Sequence, residues 1–168
     1  MLKIRITLIS CCIILFASCL IGCSGYNNEY LRIHVRANSN EVVDQEIKYL
    51  IKDEVVKYLT PIVASCSSKQ QAIDLLNKHQ NAINQLIEGL LLKNGFNYGC
   101  KTAVKGENFP TRVYEGLTLS AGYYDALIIE LGSGRGDNWW CVVYPPLCFS
   151  GNGDITYRSK LWDLINGS

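Results

Sequence analysis

Two cysteines near the end of the chain have a type and a spacing that could support covalent chemistry. Cys141 and Cys148 flank Pro145 and Pro146, and a turn at two prolines can bring two Cβ atoms to the separation that a disulfide requires. We predict a disulfide between Cys141 and Cys148, which would stabilise the folded chain by about 2–3 kcal/mol. In the alternative interpretation these residues are buried thiols, as are Cys66 and Cys100. The chain has no Cys-x-x-Cys motif, which argues against a redox enzyme.

The same segment is rich in rigid, aromatic side chains. Trp139 and Trp140 precede the two cysteines and, with Pro145 and Pro146, make a segment that suits recognition of another protein better than catalysis. Strand parity places Trp139 and Trp140 on opposite faces of a sheet, one toward the core and the other exposed or covered by the C-terminal tail. We therefore predict Trp139, Trp140, Pro145 and Pro146 as partner-binding residues.

Basic residues alternate along the first predicted strand, over residues 30–37. Arg32, His34 and Arg36 alternate with apolar residues, and we expect them on the exposed face of this strand as a basic, partner-binding patch. His34 has no neighbouring nucleophile motif such as Gly-x-Ser-x-Gly, and the only other histidine, His79, lies on a predicted helix. The sequence therefore predicts no catalytic site, no metal site and no cofactor.

Two further patterns have structural interpretations. Gly132, Gly134 and Gly136 join two predicted strands, whereas a phosphate-binding loop joins a strand to a helix. We interpret them as a wide hairpin loop. The acidic residues along the first predicted helix, Asp44 among them, are typical of a solvated surface.

The N-terminus predicts export. Lys3 and Arg5 precede an apolar run over residues 6–21, which is the order of charges and apolar residues in a secretory signal peptide. Leu20-Ile21-Gly22-Cys23 is similar to the bacterial lipobox, in which cleavage precedes a cysteine that carries lipid. We expect a lipoprotein-type signal peptide over 1–22, lipid on Cys23 and a tether over 23–29. The alternatives are an ordinary cleaved peptide and an uncleaved anchor, and in each case the rest of the chain lies outside the cytoplasm.

Size and charge limit the class of protein. The 168 residues include 16 basic and 15 acidic side chains, for a net charge of +1. Loss of residues 1–22 would remove two basic residues and no acidic ones, leaving 146 residues with a net charge of −1. A chain of this size forms one domain. It has no broad cationic field for nucleic acid.

The order of elements predicts an α+β fold. Apolar spacing indicates two amphipathic helices, over 43–62 and 72–91, after the first strand. Asn38 with Glu41 and Ser67 with Gln70 are candidate capping boxes. Strands are predicted at 96–104, 109–114, 117–119, 124–131 and 138–144. We expect a single domain with a mainly antiparallel sheet of about five to six strands and both helices on one face, followed by a tail over 150–168.

Several segments resemble one known family. They are Leu31-Arg32-Ile33-His34-Val35-x-Ala37-Asn38-Ser39, Asp44-Gln45, Phe109-Pro110-Thr111-Arg112-x-Tyr114, Gly122-x-Tyr124 and Asn138-Trp139-Trp140-Cys141-Val142-Val143-Tyr144-Pro145-Pro146-Leu147-Cys148-Phe149. These segments are similar to the stage II sporulation protein R family of endospore-forming Firmicutes. The resemblance covers residues 30–149, which we predict as a sporulation signalling domain.

The resemblance implies a signalling protein that is not itself an enzyme. Such a protein is made in the forespore and secreted into the space between forespore and mother cell. There it activates a membrane-embedded aspartic peptidase that processes the precursor of sigma-E. With lipid on Cys23 it would be membrane-anchored, and no small-molecule substrate is expected. The alternative is a small extracytoplasmic ligand-binding lipoprotein, and an unrecognised hydrolase is a third class.

Overall fold

The chain is described by a computed structural model over residues 26–114 and 117–147. These residues form two helices and six strands, in an order that begins with a strand and continues with both helices. The elements are β1 (Tyr26–Arg36), α1 (Val42–Ala64), α2 (Lys69–Lys93), β2 (Cys100–Phe109), β3 (Arg112–Tyr114), β4 (Leu117–Leu119), β5 (Gly122–Leu131) and β6 (Asn138–Tyr144).

A four-stranded sheet is the centre of the domain. Its strand order is β2-β5-β1-β6, and β3 pairs with β4 in a separate two-stranded sheet. Strand β1 runs parallel to β5, while β2 with β5, β1 with β6 and β3 with β4 are antiparallel pairs. The predicted α+β fold of a single domain with a mainly antiparallel sheet is therefore confirmed.

Strand β1 begins earlier than its sequence predicts. Its register with β5 already starts at Tyr26, opposite Tyr123, and an irregularity separates this pair from the regular register that begins at Leu31. Residues 26–29, which we predicted as part of a tether, therefore belong to the sheet. The irregularity separates the start of the strand from its regular pairing, and the alternating pattern over residues 30–37 therefore predicts only the later part of β1.

Helix α1 lies against one face of the sheet because its apolar residues recur every four positions and form one stripe. The stripe is fully buried and consists of Ile47, Ile51, Val55, Leu59 and Val63. It shares a core cluster with Leu31, Ile33 and Val35 of β1. The predicted capping box is wrong here, since Glu41 is the N-cap and its side chain makes no capping bond.

Helix α2 packs beside α1 in the same core cluster. Its N-cap is Ser68, whose side chain accepts a hydrogen bond from the Gln71 backbone N–H at 3.2 Å. Gln71 Oε1 in turn accepts from the Ser67 backbone N–H at 2.8 Å. The predicted cap is therefore displaced by one residue. Within the described ranges, neither helix contains an apolar stretch of the length needed to cross a bilayer.

The glycine-rich connection over residues 132–137 is not a hairpin loop, and that prediction is wrong. Strands β5 and β6 are not neighbours, because β1 lies between them. The connection passes over the C-terminal end of β1, where Gly136 N–H donates to the Ala37 carbonyl at 2.9 Å and Ser133 N–H donates to Asn38 Oδ1 at 2.9 Å. Gly132 has a positive φ of 56°, and a Cβ there would lie 2.3 Å from Asn38 Oδ1. Glycine is therefore required at this crossing.

Candidate functional site

The basic face of β1 is buried, which corrects the expectation that it is exposed. Arg32 is 0% and His34 is 1% exposed, while the Arg36 side chain is about a quarter exposed. Phe109 and Trp140 belong to an aromatic cluster on this face of the sheet, away from the helices. Arg32 and His34 therefore cannot contact a partner as the sequence predicted unless this cluster opens.

Arg32 is held by aromatic rings in place of a carboxylate. Its guanidinium carbon lies 4.2 Å from the centroid of the Phe109 ring and 4.9 Å from that of Tyr124. Arg32 Nη2 donates a hydrogen bond to the Tyr114 hydroxyl at 2.8 Å, which connects β1 to the β3–β4 hairpin. Within residues 26–114 and 117–147, Arg32 Nε and Nη1 have no hydrogen-bond partner. Cation–π contact is therefore the main compensation for this buried charge.

His34 lies in a stack that excludes solvent. Its ring centroid is 3.6 Å from that of Trp140 at an interplanar angle of 20°, and its Nδ1 donates to Glu107 Oε2 at 2.8 Å. Burial lowers the pKa of His34, although the hydrogen bond to Glu107 acts in the opposite direction. The ring is therefore neutral at pH 7. No serine, threonine or cysteine side chain of the described residues is hydrogen-bonded to it, so it has no nucleophile to activate.

An ionic network continues from His34 toward the C-terminal end of β1. Arg36 forms ion pairs with Glu107 of β2 and with Glu130 of β5. Glu107 therefore binds both His34 and Arg36, and the network connects three adjacent strands. Ion pairs that link adjacent strands in this way rigidify the sheet face, and sequence reasoning did not assign this structural role to Glu107 or Glu130.

The two tryptophans lie on opposite faces, as strand parity predicted. Trp140 packs on His34, whereas Trp139 packs against the helix-side core, where Lys52 Nζ lies 5.4 Å from the centroid of its ring. Both are half-buried, so neither is a fully buried core residue. Pro145 and Pro146 follow β6 in a turn and are also half-buried. Whether any of these four residues binds a partner stays a prediction.

The cysteines differ in their chemistry. Cys141 is part of a disulfide, and its predicted partner Cys148 lies outside the described residues, as does Cys23, so both the pairing and the lipidation stay predictions. Cys66 and Cys100 are free thiols. Burial raises the pKa of both, to about 11 for Cys100. These two thiols are therefore protonated at neutral pH and are poor nucleophiles.

Asp44 is buried, which corrects its interpretation as a solvated residue. Its carboxylate accepts hydrogen bonds from Asn38 Nδ2, Ser39 Oγ and Tyr98 OH at 2.8, 2.6 and 2.5 Å. Burial by itself would raise the pKa of Asp44, but the hydrogen bonds from Ser39, Tyr98 and Asn38 together lower it. The carboxylate therefore stays ionised and fixes the loop before α1.

A cleft at the β6 edge of the sheet is a feature that sequence reasoning missed. It has a volume of about 410 Å³ and its lining combines cationic, amide and aromatic side chains. The lining residues are Gln45, Lys48, Tyr49, Arg112, Asp137, Asn138 and Trp140. We call it the Lys48 cleft. Helical spacing could have indicated Lys48, since it lies four positions after Asp44 and three before Ile51, on the buried side of α1.

Lys48 combines deep burial with neutral hydrogen-bond partners. It is 1% exposed, and its Nζ donates to Gln45 Oε1 at 2.6 Å and to the Asp137 carbonyl at 3.2 Å. Its Nζ also lies 4.4 Å from the centroid of the Tyr49 ring. In the part of the chain that the structure describes, no group of three or more His, Cys, Asp or Glu side chains is placed to hold a metal ion.

Comparison with known proteins identifies the family. The family model described as Stage II sporulation protein R (spore_II_R) matches residues 27–153. A protein named Stage II sporulation protein R from Bacillus subtilis (strain 168) is 34% identical over 122 residues, which cover 73% of this chain and 54% of that protein. The chain thus spans about half the length of this curated relative. No solved structure matches. The chain belongs to the stage II sporulation protein R family.

Proposed function

We propose that this chain is an exported sporulation signal that activates a membrane-embedded aspartic peptidase, which then processes the sigma-E precursor. The family match over residues 27–153 carries this proposal, because it includes every described residue except Tyr26. In this proposal the chain acts in the space between forespore and mother cell, with residues 1–22 as signal peptide and lipid on Cys23 as membrane anchor. Residues 30–149 are the signalling domain.

A role in binding, without catalysis by the chain itself, is consistent with the chemistry of the described residues. The free thiols of Cys66 and Cys100 have raised pKa values, so neither is a thiolate at neutral pH. His34 is enclosed by Trp140 and is hydrogen-bonded to a carboxylate, without a nucleophile beside it. The Lys48 cleft is lined mainly by polar groups, whereas a small-molecule pocket is mostly apolar. We therefore favour an activator over a small ligand-binding lipoprotein.

The direct test is reconstitution in a non-sporulating Gram-positive host. The peptidase and the sigma-E precursor are co-expressed with or without this chain, and the cleaved fraction of the precursor is measured by immunoblot. We expect cleavage only when the chain is present and exported. The matched control lacks residues 1–22, so it stays in the cytoplasm and should give no cleavage. Equal cleavage with and without the chain would contradict the proposal.

A further inference from the structure

The first half of α1 carries an exposed apolar stripe on the side that does not face the sheet. Its members, with their exposed fractions, are Val42 (70%), Val43 (59%), Tyr49 (50%) and Leu50 (40%). The spacing of seven between Val42 and Tyr49, and between Val43 and Leu50, keeps all four on one side of the helix. They are four of the seven exposed large hydrophobic residues in the described ranges. We call this set the α1 stripe. Apolar groups clustered in this way mark interaction sites.

The α1 stripe is continuous with the Lys48 cleft. Tyr49 belongs to both, because it is part of the stripe and also lines the cleft. Lys48 and Arg112 supply two positive charges to the cleft, against one acidic residue, Asp137. Neither cation forms an ion pair with a carboxylate of the described residues, since their nearby acceptors are neutral oxygens. The cleft therefore has an excess of positive charge beside an apolar surface.

We propose that the α1 stripe and the Lys48 cleft form one docking surface for a segment of a partner protein that carries an acidic side chain next to apolar residues. The acidic side chain enters the cleft, where Lys48 and Arg112 neutralise it, and the apolar residues pack on the stripe. Glu46 is exposed on the same side of α1, so a second acid over the stripe would be repelled. This inference rests on the proposed function only for the identity of the partner, which is the peptidase.

The geometry of the cleft supports a carboxylate as the occupant. Lys48 Nζ has three N–H donors, and two of them are used by Gln45 and the Asp137 carbonyl. The third Lys48 donor, and the donors of Arg112 other than the Nη1 group that donates to the Thr111 carbonyl at 3.4 Å, have no acceptor among the described residues and can serve an incoming oxygen. The Arg112 guanidinium carbon lies 5.5 Å from the centroid of the Trp140 ring. This contact holds the Arg112 charge at the rim of the cleft. Charge complementarity of this kind sets specificity and association rate.

Binding of the labelled chain to the purified peptidase in detergent micelles tests the surface. Arg112→Glu reverses the charge of the cleft, and Val43→Glu places a charge on the stripe. We expect each to weaken binding by at least about tenfold, as loss of an anchor residue does. The affinity of the wild type should fall as ionic strength rises, and Arg112→Glu should lose this dependence.

Matched controls separate this surface from a general effect of charge. Lys101→Glu makes the same change of charge as Arg112→Glu at an exposed site on β2, and Leu92→Glu matches Val43→Glu at a residue that is 77% exposed near the end of α2. We expect both controls to bind within about twofold of wild type. Equal losses in test and control variants, or wild-type affinity in the test variants, overturn the docking surface.

Other occupants give distinct results. If the wild type sediments as a dimer and Val43→Glu is a monomer, the surface binds a second copy and the proposal is overturned. If Val43→Glu lowers the thermal midpoint far more than Leu92→Glu does, a segment of the same chain covers the stripe and the proposal is again overturned. A wild type that neither binds the peptidase nor triggers cleavage contradicts the proposed function itself. Cleavage that persists in both test variants contradicts the docking surface alone.

Discussion

Replacement of Asp44 by alanine should destabilise the fold, because this carboxylate ties the start of α1 to the segment before β2. It is 5% exposed and accepts three side-chain hydrogen bonds, from Asn38, Ser39 and Tyr98. A hydrogen bond to a charged acceptor contributes about 1.5–3 kcal/mol. Asn38 and Ser39 are half-buried, so water can replace part of what they lose. We therefore expect a loss of about 3 kcal/mol in the free energy of unfolding, well below the sum of three such bonds.

Urea unfolding followed by tryptophan fluorescence measures this loss, and a thermal scan should show a midpoint lower by roughly 10 °C. The matched control is Glu46→Ala, which removes an exposed carboxylate of the same helix. We expect the control to change the free energy of unfolding by less than about 0.5 kcal/mol. A loss below about 1 kcal/mol for Asp44→Ala, or a loss equal to that of the control, would refute the reasoning.

The pH dependence of the free energy of unfolding provides a second test of the role of Asp44. The pKa of Asp44 is lowered in the folded protein by the net effect of burial and the hydrogen bonds. Its contribution to stability is therefore fully present above the unfolded-state pKa of about 3.9, and it is lost as pH falls through the lower folded-state pKa. The difference between wild type and Asp44→Ala should accordingly narrow below about pH 4.

Three further predictions concern other groups of the molecule. The pKa of His34 is lowered in the folded protein. The contribution of His34 to stability is therefore present above about pH 6.5 and declines as pH falls through the folded-state pKa. Accordingly, His34→Gln should reduce the difference between the urea midpoints measured at pH 7.5 and 5.5. Cys141→Ser and Cys148→Ser should each lower the free energy of unfolding of the oxidised protein by about 2–3 kcal/mol, and the double variant should lower it by no more. Peptide mapping identifies the bonded pair. Additive losses would rule out this pairing. Cys23→Ala should release the protein from the membrane, because acyl chains contribute about 0.8 kcal/mol per buried CH₂, and mass spectrometry that finds an unmodified N-terminus after residue 23 would contradict lipidation.

The helices and the order of elements along the chain were predictable because their signals are local. Apolar residues recur every four positions from Ile47 to Val63, and this period is typical of a helix. Strand β4 was also predicted at its observed bounds, whereas β3 begins at Arg112, three residues after the predicted start at residue 109, because Phe109 belongs to β2. These patterns depend on neighbours within a few positions, and they need no knowledge of the rest of the chain.

The burial of the β1 basic face could not be predicted, because alternation shows that a strand has two faces and does not show what covers them. Arg32 is enclosed by Phe109 and by Tyr114, whose hydroxyl it binds from 82 positions away in the chain. The crossing of the glycine-rich connection was missed for the same reason, since β1 inserts between β5 and β6. Lys48 lies on the buried side of α1, and sequence reasoning assigned it no role. Long-range packing decided each of these cases.

The position and length of β1 determine how far the Lys48 cleft lies from the start of the sheet. β1 starts at Tyr26, three residues after Cys23, and is 11 residues long. Three residues span at most about 10 Å, so lipid on Cys23, as proposed, would hold the start of β1 close to a membrane, whereas the strand itself spans roughly 35 Å. Its far end at Arg36 pairs with Asn138, which lines the Lys48 cleft. An anchored molecule with β1 perpendicular to the bilayer would thus present the cleft some 35–45 Å from that membrane.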